Sequence, residues 1–175
     1  MDQENNDGVL ADYAASLIKV EPMPVVLRKH PNWIFHHTAR PNPHQLAGFF
    51  LSQLTLLGAR DVQVKRVDDW YIFTADIDWM TIALVQDCAL LEQFERWIIF
   101  PEDGQNAMRY EAAIQAFSQA VIIADQKQVT VVSGEVEDDN EIWKHITTEY
   151  PRTLAFLFPF SGRPFPYPQD ESQQD

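Results

Sequence analysis

Hydrophobic positions along the chain switch between a helical and a two-residue period. Leu10, Tyr13, Ala14, Leu17 and Ile18 predict a helix over 9–19, halted before the prolines of "EPMP". "VVLRKH" reads as a short edge strand, and "NWIFHHTA" predicts a strand over 33–39. A helix over 43–57 follows, with Asn42 as its cap, Pro43 in its first position and Gln45 at the capping-box position. Its apolar face is Leu46, Phe49, Phe50, Leu54 and Leu57, and Gly58 suits its end. Strands over 62–67 and 70–78 flank Asp68-Asp69 as a hairpin, with Tyr71, Phe73, Ala75, Ile77 and Trp79 on one face.

Residues 81–95 read as a helix and 96–100, "RWIIF", as a strand. Tyr110, Ile114, Phe117, Val121 and Ala124 step by four and three, which predicts a helix over 107–124. A strand over 128–133, a helix over 139–149 ended by Pro151, and "TLAFLF" as a last strand complete the pattern. Trp33-Ile34-Phe35 and Trp97-Ile98-Ile99 are offset by 64, as are Asn42 and Asn106. This suggests two related strand–helix–strand halves. The fold class expected is α+β: one domain with helices packed on a mainly antiparallel sheet, ferredoxin-like in outline. The expected boundaries are a tail over 1–7, the domain over 8–160 and a Pro-rich, acidic tail over 161–175.

Composition narrows the function. With 13 Lys and Arg against 26 Asp and Glu, the formal net charge is −13. Such a surface repels nucleic acid and anionic membranes and favours encounter with a basic protein. It also serves solubility. The first residues, "MDQENNDG", have neither a basic nor an apolar region of a signal peptide, and the apolar stretches are too short to span a bilayer. A cytoplasmic location is therefore expected. Cys88 is the only cysteine, which leaves no internal disulfide or two-thiolate zinc site, and its apolar setting "QDCALL" suggests an inert thiol.

Motifs for nucleotide binding, serine hydrolysis and zinc proteolysis are absent from the sequence. His36 and His37 would face opposite sides of a strand and His44 would lie in a helix's first turn, so a shared metal is not expected. Asp76 and Asp78 would share the outward face of their strand. "GEVEDDNE" gathers Glu135, Glu137, Asp138, Asp139 and Glu141 without the spacing of a calcium loop. "PFPYP" is a Pro-aromatic tail without the strict P-x-x-P form.

This profile is shared by toxin-immunity proteins and secretion chaperones of bacteria, which is an analogy of class. The expected function is non-enzymatic: an inhibitor or immunity protein that neutralises a basic, toxin-like partner, without cofactor or metal. The candidate contacts are Asp76, Asp78, Glu135, Glu137, Asp138 and Asp139. The alternatives are a chaperone for a secreted effector, and a small metal-dependent or acid–base hydrolase built on His36, His37, His44 and acids.

Overall fold

Asn42 opens the longest helix of the described chain. In the computed structural model, which describes residues 21–36, 40–82, 88–104 and 106–158, its Oδ1 accepts from the amides of His44 and Gln45. That satisfies two of the donors a helix start leaves free. The described helices are α1 (Met23–Lys29), α2 (Pro43–Leu56) and α3 (Glu111–Phe117). The strands are β1 (Val62–Val67), β2 (Trp70–Ala75), β3 (Ala120–Ala124), β4 (Val129–Ser133) and β5 (Arg152–Leu157). They form one five-stranded sheet in the order β1-β2-β5-β3-β4, with every pair antiparallel. The fold is α+β.

The last strand in sequence is the central strand of the sheet. β2, β3 and β5 are buried on both faces, which explains the continuous apolar runs within β3 and β5. On one face Tyr71, Phe73, Val121, Ile123, Leu154 and Phe156 pack beneath the helices. On the other, Trp70, Ile72, Ile122 and Ala155 pack against Val136, Ile142, Trp143 and Ile146. The connection from β4 to β5 thus covers the back of the sheet. Lys65 Nζ meets His145 Nδ1 at 2.8 Å, Gln63 donates to the Tyr150 hydroxyl, and Thr153 Oγ1 donates to Thr147 O at 2.9 Å.

The hairpin over 62–75 forms as its pattern predicts, but β2 stops at Ala75 instead of 78. Its two-residue turn puts Asp68 at φ 51, a left-handed conformation that Asp tolerates. "VVLRK" lies in α1, with His30 as its C-cap, and is no edge strand. Pro24 sits in the first turn, where a proline removes no helical bond, and Arg28 and Lys29 favour the negative C-terminal end. The strand over 33–39 does not form in its described part. Pro31–Trp33 is a 3-10 turn, and Phe35 N donates to Pro31 O at 2.8 Å. Residues 37–39 lie outside the described residues, as do the helix over 9–19 and the tails at 1–7 and 161–175.

Three further expectations are corrected. The helix over 107–124 ends at Phe117. Ser118 is extended and the β-branched "AVIIA" becomes β3, because a continuous apolar run fits a buried strand as well as a helix. The described part of 81–95 holds only the 3-10 turn Leu91–Phe94, and 139–149 only the turn Glu141–Lys144. Residues 98–100 pair locally with 107–109, through Phe100 N to Ala107 O and Arg109 N to Ile98 O at 2.8 Å each, rather than joining the sheet. The ferredoxin-like outline is not confirmed: each half is a helix followed by a hairpin, α2-β1-β2 and α3-β3-β4, with β5 inserted between the hairpins.

Candidate partner-binding surface

The acidic stretch 134–141 is held through its backbone, and its carboxylates are exposed. Gly134, at φ +79, turns the chain off β4 against Gln119 and Ala120. Val136 then packs under the sheet, and Asn140 N donates to Glu137 O at 3.0 Å. Trp143 Nε1 donates to Glu137 O at 2.8 Å, and Asn140 Oδ1 accepts from Ile142 N at 3.0 Å. Glu135, Glu137, Asp138 and Asp139 are all exposed. Glu141 joins them, its carboxyl held below its usual range chiefly by the hydrogen bond from Lys144.

Asp76 and Asp78 do not belong to this group. Their strand has ended, so they share no outward strand face. Asp76 is exposed and accepts from Arg60 N at 3.0 Å. Asp78 is turned inward. Arg152 donates to it twice, from Nε at 2.9 Å and from Nη2 at 2.8 Å, and Met80 N adds a bond at 3.2 Å. Arg152 is buried and also lies 4.0 Å from Asp125. Asp78 therefore neutralises a buried cation and anchors the start of β5. Asp76, Asp78 and Asp125 sit at one end of the sheet, and the loop after Gly134 leaves from the other. A five-residue strand separates the ends by roughly 15 Å.

Asp125 carries a pH signature. Its carboxyl is held below the ordinary range, first by the amides of Lys127 and Gln128 at 2.7 and 2.9 Å. A lowered folded-state pKa contributes stability above the unfolded value of about 3.9, and that stability is lost as pH falls through the folded value. Unfolding midpoints in denaturant should therefore fall below about pH 4, with a shallower slope in Asp125→Asn. Equal slopes in the two proteins would show that Asp125 does not couple folding to protons.

A second feature lies in the helical layer. His30, Trp33 and Trp97 form a ladder of rings, with centroids 4.8 and 5.5 Å apart and planes within 14°. Beside it is a cleft of about 220 Å³, lined by Trp33, Ile34, His36, Trp97, Met108 and Tyr110, among others. Tyr110 stacks on Phe49 at 5.2 Å, and burial raises its hydroxyl pKa. The cleft is smaller than the roughly 300–1,000 Å³ of most cofactor and drug-sized sites, so it suits a single side chain of a partner. One of its walls comes from residues 22–60, which contain no Asp or Glu. The cleft, lined by aromatic rings together with His36 and Asn106, is thus a surface distinct in chemistry from the acidic loop.

The repeated Trp-Ile pairs were the legible signal of this cleft. They read as two equivalent strands, whereas their tryptophan rings stack on each other. His36 is exposed beside the cleft, and the strand expected to part it from His37 is absent at 33–36. His37 lies outside the described residues. His44 is in the first turn of α2, as expected, and its Nδ1 meets the Tyr71 hydroxyl at 2.9 Å. Among the described residues, no three His, Cys, Asp or Glu side chains are grouped to hold a metal. Cys88 is half-buried and burial pushes its thiol pKa up, which disfavours the reactive thiolate. Among the described residues, no helix is long and apolar enough to cross a membrane. Comparison of the chain with protein-family models, curated proteins and solved structures finds no match in any of the three.

Proposed function

We propose that this chain is a non-enzymatic protein-binding module that engages and neutralises a basic partner, as an immunity protein does a toxin domain, in the cytoplasm. The observation that carries this reading is the acidic loop. Glu135, Glu137, Asp138 and Asp139 are exposed on a backbone pinned by Trp143 and Asn140, within a chain of net charge −13. Fixed carboxylates steer a cationic partner and lose little side-chain freedom beyond their own when it docks. Trp143, half-buried beside them, offers an aromatic contact on the same face.

The test is binding kinetics against salt, with basic products of adjacent genes as the first partners tried. Association should slow as salt rises, because screening shortens the reach of exposed charge. Replacing Glu135 and Glu137 by Gln, and Asp138 and Asp139 by Asn, should lower the on-rate more than it raises the off-rate. Stability should move by no more than about 0.5 kcal/mol per position, since all four side chains are exposed. An on-rate equal to wild type at low salt would remove this loop from the binding surface.

A further inference from the structure

The two edges of the sheet differ in how they are protected. β1 carries Lys65 and Arg66, and charged side chains discourage strand addition. β4, Val-Thr-Val-Val-Ser, has no charge and no proline. Val129 and Val131 are exposed, at 43% and 41%, on the back face of the sheet. The hairpin geometry sets the direction of its backbone. Asp125 N donates to Gln128 O, and 124 pairs with 129 and 123 with 130. Amide groups alternate along a strand, so those of Gln128 and Thr130 turn toward β3 and those of Val129 and Val131 turn away. The bulge in the β3–β4 pairing comes after this stretch, so it does not disturb the edge at 129–131, which pairs with no other strand among the described residues.

We infer that β4 is a homodimerisation edge, which pairs antiparallel with β4 of a second copy to make one continuous ten-stranded sheet. The charges at its ends select this occupant. Lys127 precedes the strand and Glu135 follows it; both are exposed. Antiparallel pairing brings Lys127 of each copy to the end where the other copy has Glu135. Parallel pairing would set like charge beside like. Two-fold symmetry makes each contact twice, as a self-complementary interface requires. The valines of both copies gather on one face, where cross-strand β-branched pairs add to the backbone bonds.

The test is sedimentation velocity on the full chain over a range of protein and salt concentrations. Wild type should dimerise, and more tightly as salt rises, because screening relieves the repulsion of two chains of net charge −13. This is the opposite salt response to that expected for a basic partner, so the two readings fail separately. Val131→Lys places like charges near the two-fold axis and should raise the dimer dissociation constant about tenfold or more. Circular dichroism on the same variant checks that the exposed substitution leaves the fold intact. Lys127→Glu should weaken the dimer, and the swap Lys127→Glu with Glu135→Lys should restore it. A monomeric wild type at every salt overturns the inference. So does a dimer indifferent to Val131→Lys, or a charge swap no better than the single variant.

Discussion

Glu111→Ala should lower the free energy of unfolding by about 3–5 kcal/mol, the range for removing one partner of a buried ion pair. Glu111 and Arg109 are both buried, and Arg109 donates to Glu111 from Nε and Nη2. Gln53 of α2 donates to Glu111 Oε1 at 2.9 Å and accepts from Tyr110 N at 2.7 Å. The carboxylate therefore accepts three hydrogen bonds, two from Arg109 and one from Gln53 of α2. Without it, the guanidinium stays buried and uncompensated, and its Nη1 already has no partner among the described residues. The coupled replacement Arg109→Met with Glu111→Leu removes both charges, so it should lie closer to wild type than Glu111→Ala alone. Urea unfolding measures this, provided the slope with denaturant is unchanged. A loss under about 1 kcal/mol in Glu111→Ala would mean that water or a shift of Arg109 relieves the charge. The network also matters for the cleft. It ties α2 to residues 109–111, and Met108 and Tyr110 form part of the cleft wall. Quenching of Trp fluorescence by a neutral solute should rise in Glu111→Ala if that wall loosens.

Elements whose signals were local were legible in the sequence. The cap, first-turn proline and terminal glycine of α2 state its limits, and the hairpin β1–β2 follows from alternation around Asp68-Asp69. Elements decided by distant partners were not. "RTLAFL" is central only because two hairpins close on it, and no local pattern records that. The 107–124 run satisfies a helical period, yet Val121, Ile122 and Ile123 are claimed by the sheet. In 139–149, Ile142 and Ile146 pack on the back of the sheet, and the helical hydrogen bonding is confined to the turn about Glu141–Lys144. The candidate site shows the same division. Exposure of Glu135, Glu137, Asp138 and Asp139 followed from their density of charge. The inward turn of Asp78 did not, because Arg152 lies 74 residues away. The Trp33–Trp97 stack joins positions whose repeat was visible but whose contact was not.

Gly134→Ala should cost about 3 kcal/mol or more, with strain and overpacking each contributing roughly 1–3 kcal/mol. Gly134 has φ +79, a conformation that disfavours any side chain. A Cβ there would also stand 2.1 Å from Gln119 O and 2.7 Å from the Cα of Ala120. Both neighbours are backbone at the start of β3, so no side chain can rotate to make room. Gly58→Ala separates the two causes. Gly58 has φ +95, but an added Cβ would meet nothing within 4 Å. Its cost should be the conformational part alone, about 1–3 kcal/mol. Denaturant unfolding of the two variants gives the difference directly. If both lose the same amount, the close approach at Gly134 is relieved by movement of the loop, and only the left-handed conformation matters. If Gly134→Ala loses more, the backbone of β3 resists. In that case the variant should also alter the acidic loop, because Gly134 sets the direction in which Glu135 leaves β4. Association with a basic partner should then change through the position of the carboxylates, with the net charge of the chain unaltered.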